Sequence, residues 1–108
     1  MVDVRIYQDA SGRAWFDEWL LQLRARQTRG RILTRIARIR AGLLGDFKSV
    51  GGGVQELRID HGPGYRVYFG RRGDELVILL LGGDKRTQAT DIVRAKEYWN
   101  DWKKREGG

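Results

Sequence analysis

Apolar and polar residues alternate over VDVRIY (2–7), the period of a half-buried strand, and QDASG (8–12) supplies the turn after it. From Ser11 or Gly12 the period lengthens: Phe16, Trp19, Leu20 and Leu23 stand at i, i+3, i+4 and i+7, which predicts an amphipathic helix. A polar break at RARQTRG (24–30) precedes a second helix striped by Ile32, Ile36, Ile39 and Leu43, so the pair reads as a helical hairpin joined at Gly30. Gly42 and Gly45 close that helix, and DFKSVGGG (46–53) reads as a mobile connector. Three strands then form a meander: VQELRID (54–60), a loop HGPG (61–64), YRVYFGRR (65–72), a turn at Gly73 and Asp74, and ELVILLLGG (75–83). The last of these is apolar without a break from Leu76 to Leu81, which predicts a central strand covered on both faces. A final helix from Thr87 to Lys104 aligns Ile92, Ala95, Trp99 and Trp102 on one side, ready to pack back on the sheet.

The order β-α-α-β-β-β-α predicts an α+β fold: a small antiparallel sheet with an N-terminal helical hairpin and a C-terminal helix against it. A chain of 108 residues with 41% hydrophobic content suits a single domain over 1–108. There is no cysteine, which excludes a disulfide framework and a thiolate metal site. No basic start with an apolar run opens the chain, and no apolar segment approaches the ~18 residues of a membrane span, so a cytoplasmic protein with no membrane partner is expected. The net charge is +7 and 16 of the 21 cationic side chains are Arg, whose planar fork grips phosphate in two places. That balance favours nucleic acid as partner over a merely solvated basic surface or an acidic protein. Arg31, Arg35 and Arg38, at i, i+4 and i+7, form a basic ridge beside the apolar stripe of the second helix, either solvated or in contact with phosphate.

The meander carries the candidate chemistry. In YRVYF, Tyr65, Val67 and Phe69 share one face of the strand, and Arg66 and Tyr68 the other. The preceding strand sets Leu57 and Ile59 against Glu56, Arg58 and Asp60. With Leu57, Ile59, Val67 and Phe69 turned to the helices, Glu56, Arg58, Arg66 and Tyr68 gather on the opposite face. Two cations, a carboxylate and a phenol are able to clamp a phosphate, stack a base and move a proton. They equally suit a cross-strand ladder in which Glu56 pairs with Arg66 or Arg58, worth roughly 0.2–1 kcal/mol. On this alternation Arg66 stands clear of the core, and its removal is expected to spare the fold. His61, the only His of the chain, sits in the Gly-Pro-Gly turn, where an imidazole is a second candidate base. Asp60, Asp74, Asp84 and Asp91 have no metal-ligand spacing, and no Walker A, GxSxG or dinucleotide fingerprint is present. A site without metal or cofactor is the expectation.

These stretches resemble the toxins of the RelE/ParE superfamily, in the HigB-like branch of addiction-module killer proteins. The resemblance rests on FDEWLLQL (16–23) and the run 31–99, with ELRID, GPGYRVYF and GGDKRTQ-x-x-DI in order. It implies the toxin of a bacterial type II toxin–antitoxin module, with a cognate antitoxin, a small helix-turn-helix protein, as partner. It also implies a sharply twisted sheet flanked by helices. Many relatives cleave mRNA on the translating ribosome, without a metal, by 2′-hydroxyl attack on the adjacent phosphate; the ParE branch inhibits DNA gyrase instead. A non-catalytic nucleic-acid-binding module is the remaining reading. Arg66 matches the Arg that follows Gly-Tyr in the ribonucleases, and Lys85 or Arg86 matches the basic residue after the last strand. Glu56 and Arg58 stand where relatives carry basic catalytic residues, and Asp91 and Ile92 replace a Tyr at the start of the closing helix. Arg66 and Arg58 are thus expected to hold the scissile phosphate. Glu56 is the expected general base, with His61 second, and Tyr68 would stack a base or orient the leaving oxygen. Lys48, Lys85 and Arg86 would hold flanking phosphates or ribosomal RNA.

Overall fold

A computed structural model describes residues 1–106. Its elements are β1 (Asp3–Ile6), α1 (Trp15–Gln22), α2 (Arg26–Arg40), β2 (Phe47–Gly51), β3 (Val54–Ile59), β4 (Tyr65–Arg72), β5 (Leu76–Asp84) and α3 (Gln88–Arg105), with a 3-10 turn at Lys85–Thr87 before α3. The fold is α+β, and the sheet has five strands in the order β1-β5-β4-β3-β2. β1 runs parallel to β5 while the other pairs are antiparallel, so the sheet is mixed rather than antiparallel throughout. No helix among the described residues is long and apolar enough to cross a membrane.

The segment read as a connector holds an edge strand. Phe47 and Val50 are half-buried and Lys48 and Ser49 exposed. Gly51, Gly52 and Gly53 take φ of 92°, 62° and 82°, left-handed values that fit glycine and turn the chain into β3. Four side chains before a glycine triplet are too few to display a period, which hides the strand in the sequence.

The helices also shift. Asp9 accepts hydrogen bonds from the backbone N–H of Ser11 (2.9 Å) and Arg13 (3.0 Å), which holds 9–13 as a loop and delays α1 to Trp15. The break between α1 and α2 is only 23–25, and Gly30 lies inside α2, because the buried stripe starts a turn earlier at Thr28. Leu43 falls beyond the helix and is exposed. Gly42, at φ 85°, ends α2 by donating to Ile39, while Leu43 donates to Arg38, a 5→2 and 6→1 pair that satisfies the last carbonyls. Nothing stands within 4 Å of a Cβ built on Gly30. Gly30→Ala is therefore expected to stabilise the protein by about 0.5–1 kcal/mol through helix propensity alone, read as a higher Tm.

Two cores lie on opposite faces of the sheet. Phe16 of α1 and Ile32, Ile36 and Ile39 of α2 pack on Leu57, Ile59, Val67, Phe69, Val77 and Leu79. Ala95, Trp99 and Trp102 of α3 pack on Val54, Tyr68, Ile78, Leu80 and Leu81. A bulge at Leu80, between the pairs Tyr68–Leu81 and Phe69–Leu79, turns two successive leucines to the α3 side. The face expected to be open and polar is thus roofed by α3. Glycines let the helices lie close: a methyl on Gly82 would overlap the ring of Trp19, and one on Gly70 the ring of Trp99.

Candidate functional site

Arg58 on β3 and Arg66 on β4 are direct cross-strand partners, which places two like charges side by side at the open end of the sheet. Such a pairing is destabilising unless counter-charges offset it. Arg58 Nη2 meets Asp46 Oδ1 at 3.0 Å in a half-exposed pair, and Arg66 Nε stands 3.6 Å from Glu56 Oε1 in a buried one. The third cation comes from the turn after β5: Lys85 donates its backbone N–H to the Gly64 carbonyl (3.1 Å), which extends the β4–β5 ladder past Tyr65 and Asp84. The Arg66 and Lys85 side chains both pass over Gly64, each at 3.5 Å from where a Cβ would stand. Arg58, Arg66 and Lys85, with Asp46, Asp60 and the Gly62-Pro63-Gly64 loop, line an open cleft of about 400 Å³. Three elements therefore converge on one cationic mouth.

Behind Arg66 lies a buried polar cluster. Glu56 is wholly inaccessible, and its Oε2 accepts from Gln88 Nε2 of α3 at 2.8 Å. Glu56 Oε1, Arg66 Nε, Arg58 Nε and the Tyr68 hydroxyl are buried without a hydrogen-bond partner among the described residues. Burial pushes the Tyr68 phenol well up from its ordinary value, and the Glu56 charge beside it adds to the rise. Asp91 is buried in the first turn of α3, where a methyl on Gly83 would overlap its carboxylate. Thr87 Oγ1 donates to it at 2.6 Å, and burial pushes its carboxyl up.

Several expectations change on this geometry. Glu56 cannot reach a substrate in the cleft, so it stands as the anchor that aims Arg66 rather than as an accessible base. Tyr68 is fully buried beneath α3 and has no face free to stack a base. Arg66 is not clear of the core: only 8% exposed, it is the counter-ion of a buried carboxylate. His61 packs on Tyr65 (ring centroids 6.4 Å apart) at the loop corner and is not among the cleft-lining residues. Of Lys85 and Arg86, the first lines the cleft, while Arg86 pairs with Asp84 two residues back at 2.9 Å. Lys48 is exposed on edge strand β2, opposite Glu56 and outside the cleft. Arg35 donates to the carbonyls of Arg58 (2.5 Å), Leu44 (3.2 Å) and Asp46 (3.2 Å), stapling α2 to β3. Arg31 and Arg38 remain exposed on either side of it.

Sequence reasoning missed Asp46, Gln88 and the structural use of Asp91. Asp46 lay in the supposed connector, and Gln88 reaches Glu56 only through the tertiary seat of α3. Gly82-Gly83 after an apolar run was the available sign of a close approach.

A model of the phage derived protein Gp49-like family (DUF891) matches residues 18–97. An uncharacterized protein of Haemophilus influenzae is 52% identical over 81 residues, spanning 75% of this chain and 82% of that one. The family match runs from within α1 to within α3 and includes each cation of the cleft. The chain therefore belongs to the Gp49-like family of phage-derived proteins, a family associated with toxin–antitoxin systems.

Proposed function

We propose that this chain is the toxin of a type II toxin–antitoxin module and acts as a ribosome-dependent mRNA endoribonuclease of the RelE/ParE, HigB-like kind. The observation that carries the reading is the convergence of Arg58, Arg66 and Lys85 on one cleft, with Arg66 held from behind by a buried carboxylate. Fixed cations at a phosphodiester stabilise the charge that builds on its equatorial oxygens as a 2′-hydroxyl attacks. The O2′–P bond forms and the P–O5′ bond breaks, leaving a 2′,3′-cyclic phosphate and a 5′-hydroxyl end. With Glu56 enclosed, Asp60 is the carboxylate of the cleft outside the ion pairs and takes the 2′-hydroxyl proton. Lys85, an ammonium with a proton to give, protonates the leaving oxygen. No metal or cofactor has a part in this scheme. The partner in the cell is a cognate antitoxin, a small helix-turn-helix protein, and the targets are mRNA and the ribosome in the cytoplasm.

Induced alone, the chain should arrest growth, and co-expression of its antitoxin should relieve the arrest. Primer extension should show new 5′ ends in translated mRNA within minutes. Arg58→Ala should slow that cleavage by about 10²–10³ with little change in the melt, since its ion pair with Asp46 is half-exposed and its loss strands no buried carboxylate. Blocked DNA supercoiling without new 5′ ends would replace this reading by gyrase inhibition. Salt-sensitive RNA binding with neither effect would replace it by a non-catalytic binding module.

A further inference from the structure

From Trp19 to Gly45 the chain holds seven Arg and no Asp or Glu. Most of that stretch is α2, which begins with no acidic side chain in its first turn and no side-chain cap, so Arg26 and Arg29 sit at the positive end of the helix dipole. Arg31 and Arg35, then Arg35 and Arg38, are like charges at helical contact spacing. Each of these arrangements costs the free protein stability and is relieved by an anion. Two of the seven have structural work: Arg35 in its carbonyl staple, and Arg29, which donates to the Leu23 carbonyl. Arg24, Arg26, Arg31, Arg38 and Arg40 enter no ion pair among the described residues.

Arg31 and Arg38 flank a groove of about 480 Å³ between α2 and the end of β3, lined also by Gln27, Gly30, Thr34 and Asp60. Asp60 is common to this groove and to the cleft of Arg58, Arg66 and Lys85, so the two adjoin there. Gly30 leaves the helix backbone bare on the groove wall, where no packing demands it.

We propose that this groove is a second binding site, for the phosphodiester backbone of single-stranded RNA. It rests on the cleft reading: a strand with one phosphate among Arg58, Arg66 and Lys85 continues over Asp60 and sets two further phosphates on Arg31 and Arg38. Those residues are about 10 Å apart along the helix. Gln27 and Thr34 offer neutral hydrogen bonds between them. Asp60 decides for RNA over an acidic peptide or DNA. A carboxylate where the two cationic sites adjoin repels a run of acidic side chains, but accepts from a 2′-hydroxyl lying between two phosphates.

The test is fluorescence anisotropy with labelled RNA of about 4 and about 16 nucleotides, the range of strand lengths that such grooves hold, on the parent, Arg31→Ala/Arg38→Ala and Arg58→Ala. Both α2 side chains are exposed and each repels Arg35, so the double variant should melt no lower than the parent. It should bind the longer RNA at least tenfold more weakly and the shorter one unchanged. Its slope of log affinity against log salt should flatten by about 1.4, the release of two phosphates' counterions. Arg58→Ala should weaken both lengths. Equal affinity of the double variant and the parent for the longer RNA overturns the groove, as does a loss of antitoxin affinity with RNA binding intact, which makes α2 a protein-docking face. If Arg58→Ala binds both lengths like the parent while the double variant loses the longer one, the groove stands and the cleft reading fails. A parent that binds neither length removes both.

Discussion

Replacing Arg66 by Ala should cost about 3–5 kcal/mol of stability as well as the toxic activity, and adding Glu56→Gln should return much of the stability and none of the activity. Glu56 is wholly inaccessible and the Arg66 side chain is 10% exposed, so solvent does little to screen the pair. Removing the guanidinium leaves a buried carboxylate with one hydrogen bond, from Gln88, to offset its charge. A domain of this size has roughly 5–15 kcal/mol in hand, so the single variant loses a large share of it. Gln in place of Glu56 keeps the shape and removes the stranded charge. Thermal melts of the parent, the two single variants and the double variant give the coupling, expected at about 1–3 kcal/mol in favour of the pair. Growth arrest separates the roles: the double variant should fold, yet it lacks the cation proposed to hold the scissile phosphate and should be harmless. If Arg66→Ala melts with the parent, the buried pair carries no weight; if it also arrests growth at equal soluble abundance, the cleft is not the active site.

Strand alternation alone leads to a different expectation for Arg66, and the reason shows what was legible in the sequence. Period two correctly sorted Leu57, Ile59, Val67 and Phe69 from Glu56, Arg66 and Tyr68, since backbone pleating enforces it. Periodicity does not say whether the second face meets water. Glu56 and Arg66 look like surface residues because each is charged, and they tolerate burial because they neutralise each other and Gln88 donates to Glu56. The apolar run of β5 did announce a helix on each side, but the position of α3 over Tyr68 depends on contacts between distant segments. The parallel pairing of β1 with β5 is likewise invisible to a local pattern, because the partner strand lies near the other end of the chain. For the cleft, the spacing of Arg58 and Arg66 was readable from the hairpin, whereas Lys85 came only as one of two candidates, with Arg86, that the resemblance implied. Asp46 was not, because four residues of edge strand ahead of three glycines resemble a loop.

Gly70→Ala should destabilise the protein by roughly 1–3 kcal/mol, the usual cost of one methyl too many in a packed core. Gly70 has no left-handed φ, so the backbone accepts any residue there and the cost is steric. The added methyl would stand only 2.3–2.4 Å from three atoms of the six-membered ring of Trp99. That ring has little room to tip. It is 5% exposed and stacks face to face on Trp102, centroids 5.2 Å apart and planes within 4°. Its indole nitrogen lies so close over Gly53 that a Cβ there would also collide. Relief must therefore come from sliding α3 off the sheet, and α3 carries Gln88, which holds Glu56 behind Arg66. On this account Gly70→Ala lowers both Tm and toxicity although it lies outside the cleft, with Tm falling by roughly 4–8 °C for each kcal/mol. A smaller ring should restore part of both: Gly70→Ala/Trp99→Phe should melt above Gly70→Ala, although Trp99→Phe alone melts below the parent. Gly73→Ala is the control, since its site is open but has φ 57°, so it should show backbone strain of about 1 kcal/mol and full toxicity. A Gly70→Ala chain that melts with the parent and arrests growth as well would mean that α3 does not rest on β4 through Trp99, and the path from α3 to Arg66 would fall with it.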